Sequence, residues 1–330
     1  MREARQMEAA ALADALLAGE RAALARAITL IESRAPQHAD AAQQLLGALL
    51  PHAGNSVRIG ITGPPGAGKS SFIDSFGCHV IQRGHKVAVL AIDPSSGLTR
   101  GSILGDKTRM ERLSRETDAF IRPSPTGGIL GGVAEKTREA ILLCEAAGFD
   151  VIIVETVGAG QSEVTLRSLV DILLLLLITG AGDELQGYKK GVIEIADALV
   201  INKADGDNLT AAKAARAQYQ RALEFVAPAT PGWRTRALTA SALTGAGIDA
   251  IWTLITEFVA QTKASGGFDD RRRKQRREWL HKALEARLRD AVYGHEAVKA
   301  ALPEIEAAVI NGKLPAASAA EALLRLILPD

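Results

Sequence analysis

The spacing of hydrophobic and polar residues changes twice along the 330-residue chain. In residues 8–50, leucine and isoleucine recur at helical spacing among many alanines, which predicts an N-terminal helical segment. From residue 57 to about residue 262, short apolar runs alternate with helix-like stretches. Beyond residues 265–270, apolar side chains recur every fourth residue, which predicts a helix with one apolar face. These side chains are Leu280, Leu284, Leu288 and Val292.

Seven of the apolar runs are candidate β-strands. Several are apolar on both faces, as expected of parallel strands that helices cover on both sides. The candidates are residues 57–63, 86–93, 119–124, 149–158, 171–180, 197–205 and 236–243. Strands that alternate with helices predict a doubly wound, mostly parallel α/β domain.

Three segments follow from this pattern. We expect an N-terminal helical segment at 1–55, the α/β domain at 56–264 and a C-terminal helical arm at 265–330. The arm is too small to be a stable domain by itself, so it must pack on the α/β domain or on a second subunit.

Composition excludes several classes of protein. A hydrophobic content of 47% excludes a disordered chain, and a net charge of +1 gives no general attraction to nucleic acid or acidic membranes. Cys78 and Cys144 lie far apart and outside any CxxC motif, so neither a disulfide framework nor a zinc site is expected. The most apolar run, 172–178, is much shorter than the ~20 residues that span a bilayer. With no signal peptide at the start, we expect a cytoplasmic protein with no nucleic-acid or membrane partner.

The basic run RRRKQRR at 271–277 does not change this expectation. Acidic residues flank it on both sides, and no aromatic side chains accompany it to stack on bases. The run therefore favours a solvated helix face or a patch that contacts a partner protein.

The string GPPGAGKS at 63–70 matches the phosphate-binding loop of P-loop proteins and lies between a predicted strand and a predicted helix. Its glycines allow backbone N–H groups to surround phosphate oxygens at a helix N-terminus. Lys69 would reach the β- and γ-phosphates, and the Ser70 hydroxyl would bind Mg²⁺. The predicted phosphate-binding residues are Gly63, Pro64, Pro65, Gly66, Ala67, Gly68, Lys69, Ser70 and Ser71.

A second motif, NKAD at 202–205, ends a later apolar strand and predicts recognition of guanine. The Asp205 carboxylate can accept hydrogen bonds from guanine N1–H and from its 2-amino group, a donor pair that adenine lacks. Lys203 would lie along the base, and Asn202 would brace the loop. The backbone of Ser241, Ala242 and Leu243, after the last strand, would contact guanine O6.

Acidic residues at strand ends beside the phosphate loop are candidates for binding Mg²⁺ and for orienting water. Glu155 ends the strand candidate at 149–158, and Asp93 ends the one at 86–93. For Asp93 an ordinary turn before proline is the alternative, and for Asp106 a surface loop is an equally good one. Together with Lys69, these three carboxylates are the predicted catalytic residues.

The segment 179–191, TGAGDELQGYKKG, follows the most apolar strand of the chain and is rich in glycine and charge. It leaves the carboxyl end of a central strand, the edge where ligands bind in open α/β sheets. Its charged side chains could exchange ion pairs between states, which predicts a loop that couples the nucleotide to a partner. The predicted coupling residues are Gly180, Asp183, Glu184, Gln186, Lys189 and Lys190.

Taken together, these strings resemble the G3E (SIMIBI) type P-loop GTPases of the MeaB, ArgK and methylmalonic-aciduria type A group. The resemblance covers nearly the whole chain. It includes GITGPPGAGKSS, AIDPSSGLTRGSILGDKTRM, LLCEAAGFDVIIVETVGAGQSE, GAGDELQGYKKGVIEIAD and NKAD. Members of this group are chaperones of adenosylcobalamin-dependent acyl-CoA mutases.

The resemblance implies a homodimer that hydrolyses GTP with Mg²⁺, and it places much of the dimer contact in the C-terminal arm. It assigns Asp93, Asp106 and Glu155 to Mg²⁺ and water, and it makes segment 179–191 a third switch loop. It further implies that GTP hydrolysis gates adenosylcobalamin loading into a client mutase such as methylmalonyl-CoA mutase, and protects or reactivates that mutase. Adenosylcobalamin would be met only through the client.

Two other functions fit the same fold. A metallochaperone GTPase would need closely spaced cysteine and histidine ligands, which the sequence lacks. An ATPase of an amino-acid transport system conflicts with the NKAD motif and with the absence of a membrane segment in the sequence.

Overall fold

A parallel sheet of seven strands forms the centre of the fold in the computed structural model, which describes residues 2–33, 35–93, 109–125, 130–156, 162–180 and 191–328. The strands are β1 (Val57–Thr62), β2 (Val87–Asp93), β3 (Ala119–Pro125), β4 (Val151–Thr156), β5 (Ile172–Leu177), β6 (Ala198–Ile201) and β7 (Arg236–Thr239). Their order is β3-β2-β4-β1-β5-β6-β7, and each neighbouring pair is parallel. The predicted strands and the doubly wound fold are confirmed.

Helices cover both faces of this sheet. Before and within the sheet they are α1 (Arg2–Leu17), α2 (Arg21–Glu32), α3 (Pro36–Leu49), α4 (Lys69–Gln82), α5 (Leu130–Ala146), α6 (Ser162–Arg167), α7 (Leu209–Ala222) and α8 (Ile248–Ala264). On one face, Phe72 and Phe76 of α4 pack with Trp252 and Phe258 of α8 in one buried cluster. Every residue of β4 and β5 is buried, which explains why these strands are apolar throughout.

The N-terminal helices complete the core on the other face. Leu24 and Ile28 of α2 and Leu45 of α3 belong to one buried cluster with Leu90 of β2 and Ile152 of β4. Helix α2 also contacts α5. The predicted helical segment is therefore part of the same core as the sheet.

Two compact units make up the chain, Met1–Gln275 and Arg276–Asp330. The boundary between them lies inside helix α9 (Gly267–Gly294) rather than before residue 265. The first part of α9 belongs to the sheet unit because its arginines are bound there. The predicted three-segment division stays a prediction.

Arg272 of the basic run is buried and Arg271 is half-buried, which for these two residues corrects the expectation of a solvated face or a partner patch. The Arg272 guanidinium donates to both carboxylate oxygens of Asp171, with Nε–Oδ1 at 2.9 Å and Nη2–Oδ2 at 2.7 Å. Arg271 donates to the backbone carbonyl of Asp171 and to the Thr230 hydroxyl. A buried carboxylate needs a charged partner, and these arginines supply it. Arg273, in contrast, is exposed and pairs with Asp270.

The second unit consists of the later part of α9 followed by α10 (Glu296–Ile310) and α11 (Ala316–Arg325). Val298 of α10 and Ala319 of α11 are buried. Leu280, Leu284 and Leu288 of the predicted apolar stripe are each more than half exposed. Across the described part of the chain, no helix combines the length and the apolar character needed to cross a bilayer.

Candidate active site

The phosphate loop, residues 63–70, joins β1 to α4 at the carboxyl edge of the sheet. Gly63 has φ +152°, and a Cβ there would lie 2.3 Å from the Leu176 carbonyl oxygen of β5. Gly68 has φ +79°, and a Cβ there would lie 2.9 Å from Asn202 Nδ2. Only glycine fits these two positions, because the loop passes so close to β5 and to Asn202.

Lys69, the first residue of α4, is buried inside the loop that it follows. Its ammonium donates to the Gly63 carbonyl at 2.8 Å and to the Pro64 carbonyl at 3.3 Å. Burial lowers the pKa of Lys69, and the negative charges of Glu155 and Glu163 act in the opposite direction. The loop thus holds a positive charge where phosphate oxygens would approach.

Ser70 and Glu155 lie together beside this lysine. The Ser70 hydroxyl donates to Glu155 Oε1 at 3.2 Å, and Glu155 is buried near the end of β4, in register with Ile61 of β1. A hydroxyl and a carboxylate are the hard oxygen ligands that Mg²⁺ prefers, so this pair fits the metal that the P-loop implies. The described residues contain no group of three or more His, Cys, Asp or Glu able to hold a metal ion.

Glu163 is a further carboxylate near the phosphate loop, and the sequence reasoning did not single it out. It lies on α6, is buried, and its charge acts on Lys69. Its place at the end of the GAGQSE string, shortly after Glu155, was the sequence signal that could have identified it.

A hydroxyl pair joins the strands that carry the phosphate loop and Glu155. Thr156 Oγ1 of β4 donates to Thr62 Oγ1 of β1 at 3.1 Å, and both side chains are buried. A buried hydroxyl is costly unless it is paired, so this contact fixes the ends of β1 and β4 relative to each other.

The guanine loop, residues 202–205, follows β6 and contacts the phosphate loop directly. Buried Asn202 donates from Nδ2 to the Ala67 carbonyl at 2.8 Å, and its backbone N–H donates to the Leu177 carbonyl of β5 at 2.8 Å. Among the described residues, Lys203 is the one non-glycine with a left-handed backbone, at φ +57°. One asparagine therefore connects the loop predicted to bind the base to the loop predicted to bind phosphate.

The side chain of Asp205 is oriented by Ser241. The Ser241 hydroxyl donates to Asp205 Oδ2 and accepts from the Thr244 N–H at 3.0 Å. The backbone of Ala204 donates to the Ala240 carbonyl at 2.9 Å, which joins the guanine loop to the segment after β7. In that segment Ala242 is half-buried, whereas the Leu243 side chain is 83% exposed.

Several predicted site residues cannot be placed in this geometry. Asp93 ends β2, but its side chain lies outside the described residues. Gly180 is described and has a left-handed φ of +73°. Residues Asp106, Asp183, Glu184, Gln186, Lys189 and Lys190 also lie outside the described part of the chain.

Comparison with known proteins shows the family to which this chain belongs. The family described as methylmalonyl Co-A mutase-associated GTPase MeaB matches residues 24–297. The chain belongs to the MeaB family. It is accordingly a P-loop GTPase.

Individual relatives agree with this assignment. A Caulobacter vibrioides relative is 58% identical over 309 residues, which is 94% of each chain. The GTPase ArgK of Escherichia coli is 52% identical over 84% of each chain. A crystal structure titled LAO/AO transport system kinase superposes with a TM-score of 0.76 at 42% identity, covering 97% of each chain. The similarity to this solved structure thus extends over nearly the whole chain.

Proposed function

We propose that this MeaB-family GTPase is a chaperone of an adenosylcobalamin-dependent acyl-CoA mutase, methylmalonyl-CoA mutase or a close relative. In this role GTP hydrolysis gates the loading of adenosylcobalamin into the mutase and protects or reactivates it. The family match over residues 24–297, whose description names methylmalonyl-CoA mutase, is the observation that carries the proposal. The protein meets adenosylcobalamin only through its client.

The chemistry at the site is phosphoryl transfer from GTP to water. Lys69 brings a buried positive charge to the phosphates, and backbone N–H groups at the start of α4 add the positive end of the helix dipole. Ser70 and Glu155 would hold Mg²⁺ together with the predicted ligands Asp93 and Asp106. When bound there, the metal would supply positive charge to offset the charge that develops on the phosphate oxygens.

Selectivity for guanine resides in the guanine loop. Ser241 holds one oxygen of Asp205, so the carboxylate is already oriented when the base arrives. Asn202 fixes the distance between this loop and the phosphate loop. Pre-organised hydrogen-bond acceptors favour the base with the matching donors, which is guanine.

Coupling to the client is assigned to the segment 179–191 and to the predicted coupling residues within it. The segment begins at the carboxyl end of β5, next to the strand that leads into the phosphate loop. A loop at that edge can take different arrangements with GTP and with GDP, as switch loops do. We assign the exposed leucines of α9 to the contact between two copies of the chain.

Co-elution with candidate mutases tests this function. The full-length protein is mixed with methylmalonyl-CoA, isobutyryl-CoA or 2-hydroxyisobutyryl-CoA mutase, in the presence of GDP or of a non-hydrolysable GTP analogue. We expect one mutase to co-elute, to an extent that differs between the two nucleotides. The Lys69→Ala variant, which lacks the phosphate-loop charge, is expected to lose that nucleotide dependence. Failure of all three mutases to co-elute in either state would overturn the proposal.

An ATPase of an amino-acid transport system is the second candidate, because a structure with 42% identity carries a transport-system kinase title. Competition between nucleotides separates the two functions. If ATP displaces bound GDP as well as GTP does, the role of Asp205 in selecting guanine is wrong and the second candidate is favoured.

A further inference from the structure

Asn208 has no part in the proposed function, yet its described side-chain hydrogen bonds are to the guanine loop and to Thr179, two residues beyond the end of β5. It ends the short turn Gly206–Asn208 that precedes α7. Its Nδ2 donates to the Lys203 carbonyl at 2.6 Å, and its backbone N–H donates to the Asp205 carbonyl at 3.1 Å. Its Oδ1 accepts a hydrogen bond from the Thr179 hydroxyl.

The contact with Lys203 stabilises a left-handed backbone conformation, which is unfavourable for lysine. A left-handed φ is uncommon for residues other than glycine and persists only where the surroundings hold it. Asn208 holds the carbonyl of that same residue, and the preceding residue, Asn202, is held by its bonds to Ala67 and Leu177. The orientation of Lys203 and Asp205 toward a base therefore depends on Asn208.

The contact with Thr179 reaches a different part of the molecule. Thr179 is the first residue of segment 179–191 and lies two residues beyond the end of β5. A single asparagine side chain thus bonds to the start of that segment and to the guanine loop. No other described hydrogen bond joins the Thr179 side chain to the guanine loop or to the turn after it.

We propose that Asn208 is a positioning residue for guanine recognition, and that the Thr179 hydroxyl sets its position so that guanine affinity depends on the conformation at the start of segment 179–191. This inference rests on the proposed function in one respect, the role of segment 179–191 in coupling to the client. Its hydrogen-bond chain, Thr179 to Asn208 to Lys203, is independent of any client. Movement at the start of the segment changes how tightly the base is held, and base binding in turn biases the segment.

Nucleotide affinities of four variants of the full-length protein test this chain of contacts. Thr179→Val removes the hydroxyl at nearly constant volume, and Thr179→Ser is its matched control because it keeps the hydroxyl. Asn208→Ala removes both side-chain contacts, and the fourth variant combines Thr179→Val with Asn208→Ala. The dissociation constants of GDP and of IDP are measured for each, with thermal unfolding as a check on folding. IDP is the probe of base recognition because hypoxanthine lacks the 2-amino group that Asp205 would bind.

We expect Asn208→Ala to weaken GDP binding roughly 3- to 10-fold, the effect of one or two hydrogen bonds, and to weaken IDP binding less. Thr179→Val should weaken GDP binding in the same direction while Thr179→Ser matches the wild type. The double variant should bind GDP no more weakly than Asn208→Ala, because the two residues act in one chain.

Equal losses for GDP and IDP in Asn208→Ala, or additive losses in the double variant, would overturn the inference. If Asn208→Ala does not fold, the Thr179 pair decides, and wild-type GDP affinity in Thr179→Val would overturn it. None of these measurements uses a mutase, so their failure leaves the proposed function standing. Conversely, if the proposed function is overturned, the GDP and IDP affinities still test the contacts of Thr179 and Asn208.

Discussion

At the scale of single residues, the site is a set of short polar contacts between loops that are far apart in sequence. Asn202 joins the base side to the phosphate side, Ser241 orients Asp205, and Ser70 lies against Glu155. Each of these contacts restricts the position of a polar group in the site. A single substitution at one of these contacts is therefore expected to change either base preference or Mg²⁺ dependence, and not both.

Replacing Asp205 with Asn is expected to reverse base preference. Guanine presents a 2-amino donor where xanthine presents an oxygen acceptor, and an amide can donate where a carboxylate cannot. We expect GDP affinity to fall about 100-fold, since hydrogen bonds to a charged group contribute about 1.5–3 kcal/mol each, while XDP affinity rises. Competition between GDP and XDP measures the change. Retained preference for GDP would contradict the role of Asp205.

Replacing Glu155 with Gln keeps the size of the side chain and removes its charge. Mg²⁺ binds carboxylates much more strongly than amides, so the Mg²⁺ concentration that gives half-maximal GTP hydrolysis should rise. GDP affinity measured without Mg²⁺ should stay close to that of the wild type, because Glu155 contacts Ser70 rather than the guanine loop. A Mg²⁺ dependence identical to that of the wild type would exclude Glu155 from the metal site. Removal of Mg²⁺ by a chelator should abolish hydrolysis in both proteins.

At the scale of whole elements, strand β5 is held at both of its ends. At the start, the Asp171 backbone and carboxylate are bound by Arg271 and Arg272 of α9. At the other end, the Thr179 hydroxyl bonds to Asn208. Between these points all of the strand is buried. The strand is therefore a fixed element that runs from the arginines of α9 to the start of segment 179–191.

Arg272→Ala should destabilise the first unit by about 3–5 kcal/mol, because it leaves the buried Asp171 carboxylate without its bidentate partner. Arg273→Ala is the matched control, since Arg273 is exposed and its pair with Asp270 contributes at most about 1 kcal/mol. Chemical denaturation followed by tryptophan fluorescence measures both variants. Equal free energies of unfolding for the two variants would show that the ion pair between Arg272 and Asp171 makes no net contribution to stability.

Strands and loops could be predicted from the sequence, whereas contacts between charged or polar residues far apart in the chain could not. The seven strands were predictable because apolar residues on both faces leave few alternatives, and the two loops were predictable because GPPGAGKS and NKAD are local strings. The contacts of Arg271 and Arg272 were not predictable, because their partner Asp171 lies 100 and 101 positions away and the fold alone brings them together. The same holds for the bond from Asn202 to Ala67 and for the one from Thr179 to Asn208.

At the scale of the whole molecule, the protein combines a MeaB-family GTPase fold with exposed leucines at positions 280, 284 and 288 of α9. We assign the exposed leucines of α9 to the second copy of the chain, and the segment after β5 to the client mutase. On these assignments, the client senses hydrolysis at the phosphate loop through segment 179–191 at the carboxyl edge of the sheet. The rate of hydrolysis must then respond to the client.

The most direct test of this account is the steady-state rate of GTP hydrolysis with and without a saturating amount of the mutase that co-elutes with the protein. Lys69→Ala serves as the control that assigns the measured rate to this site. We predict a slow rate for the protein alone and a severalfold faster rate with the mutase, and no rate in either condition for Lys69→Ala. A wild-type rate that the mutase leaves unchanged would contradict the account.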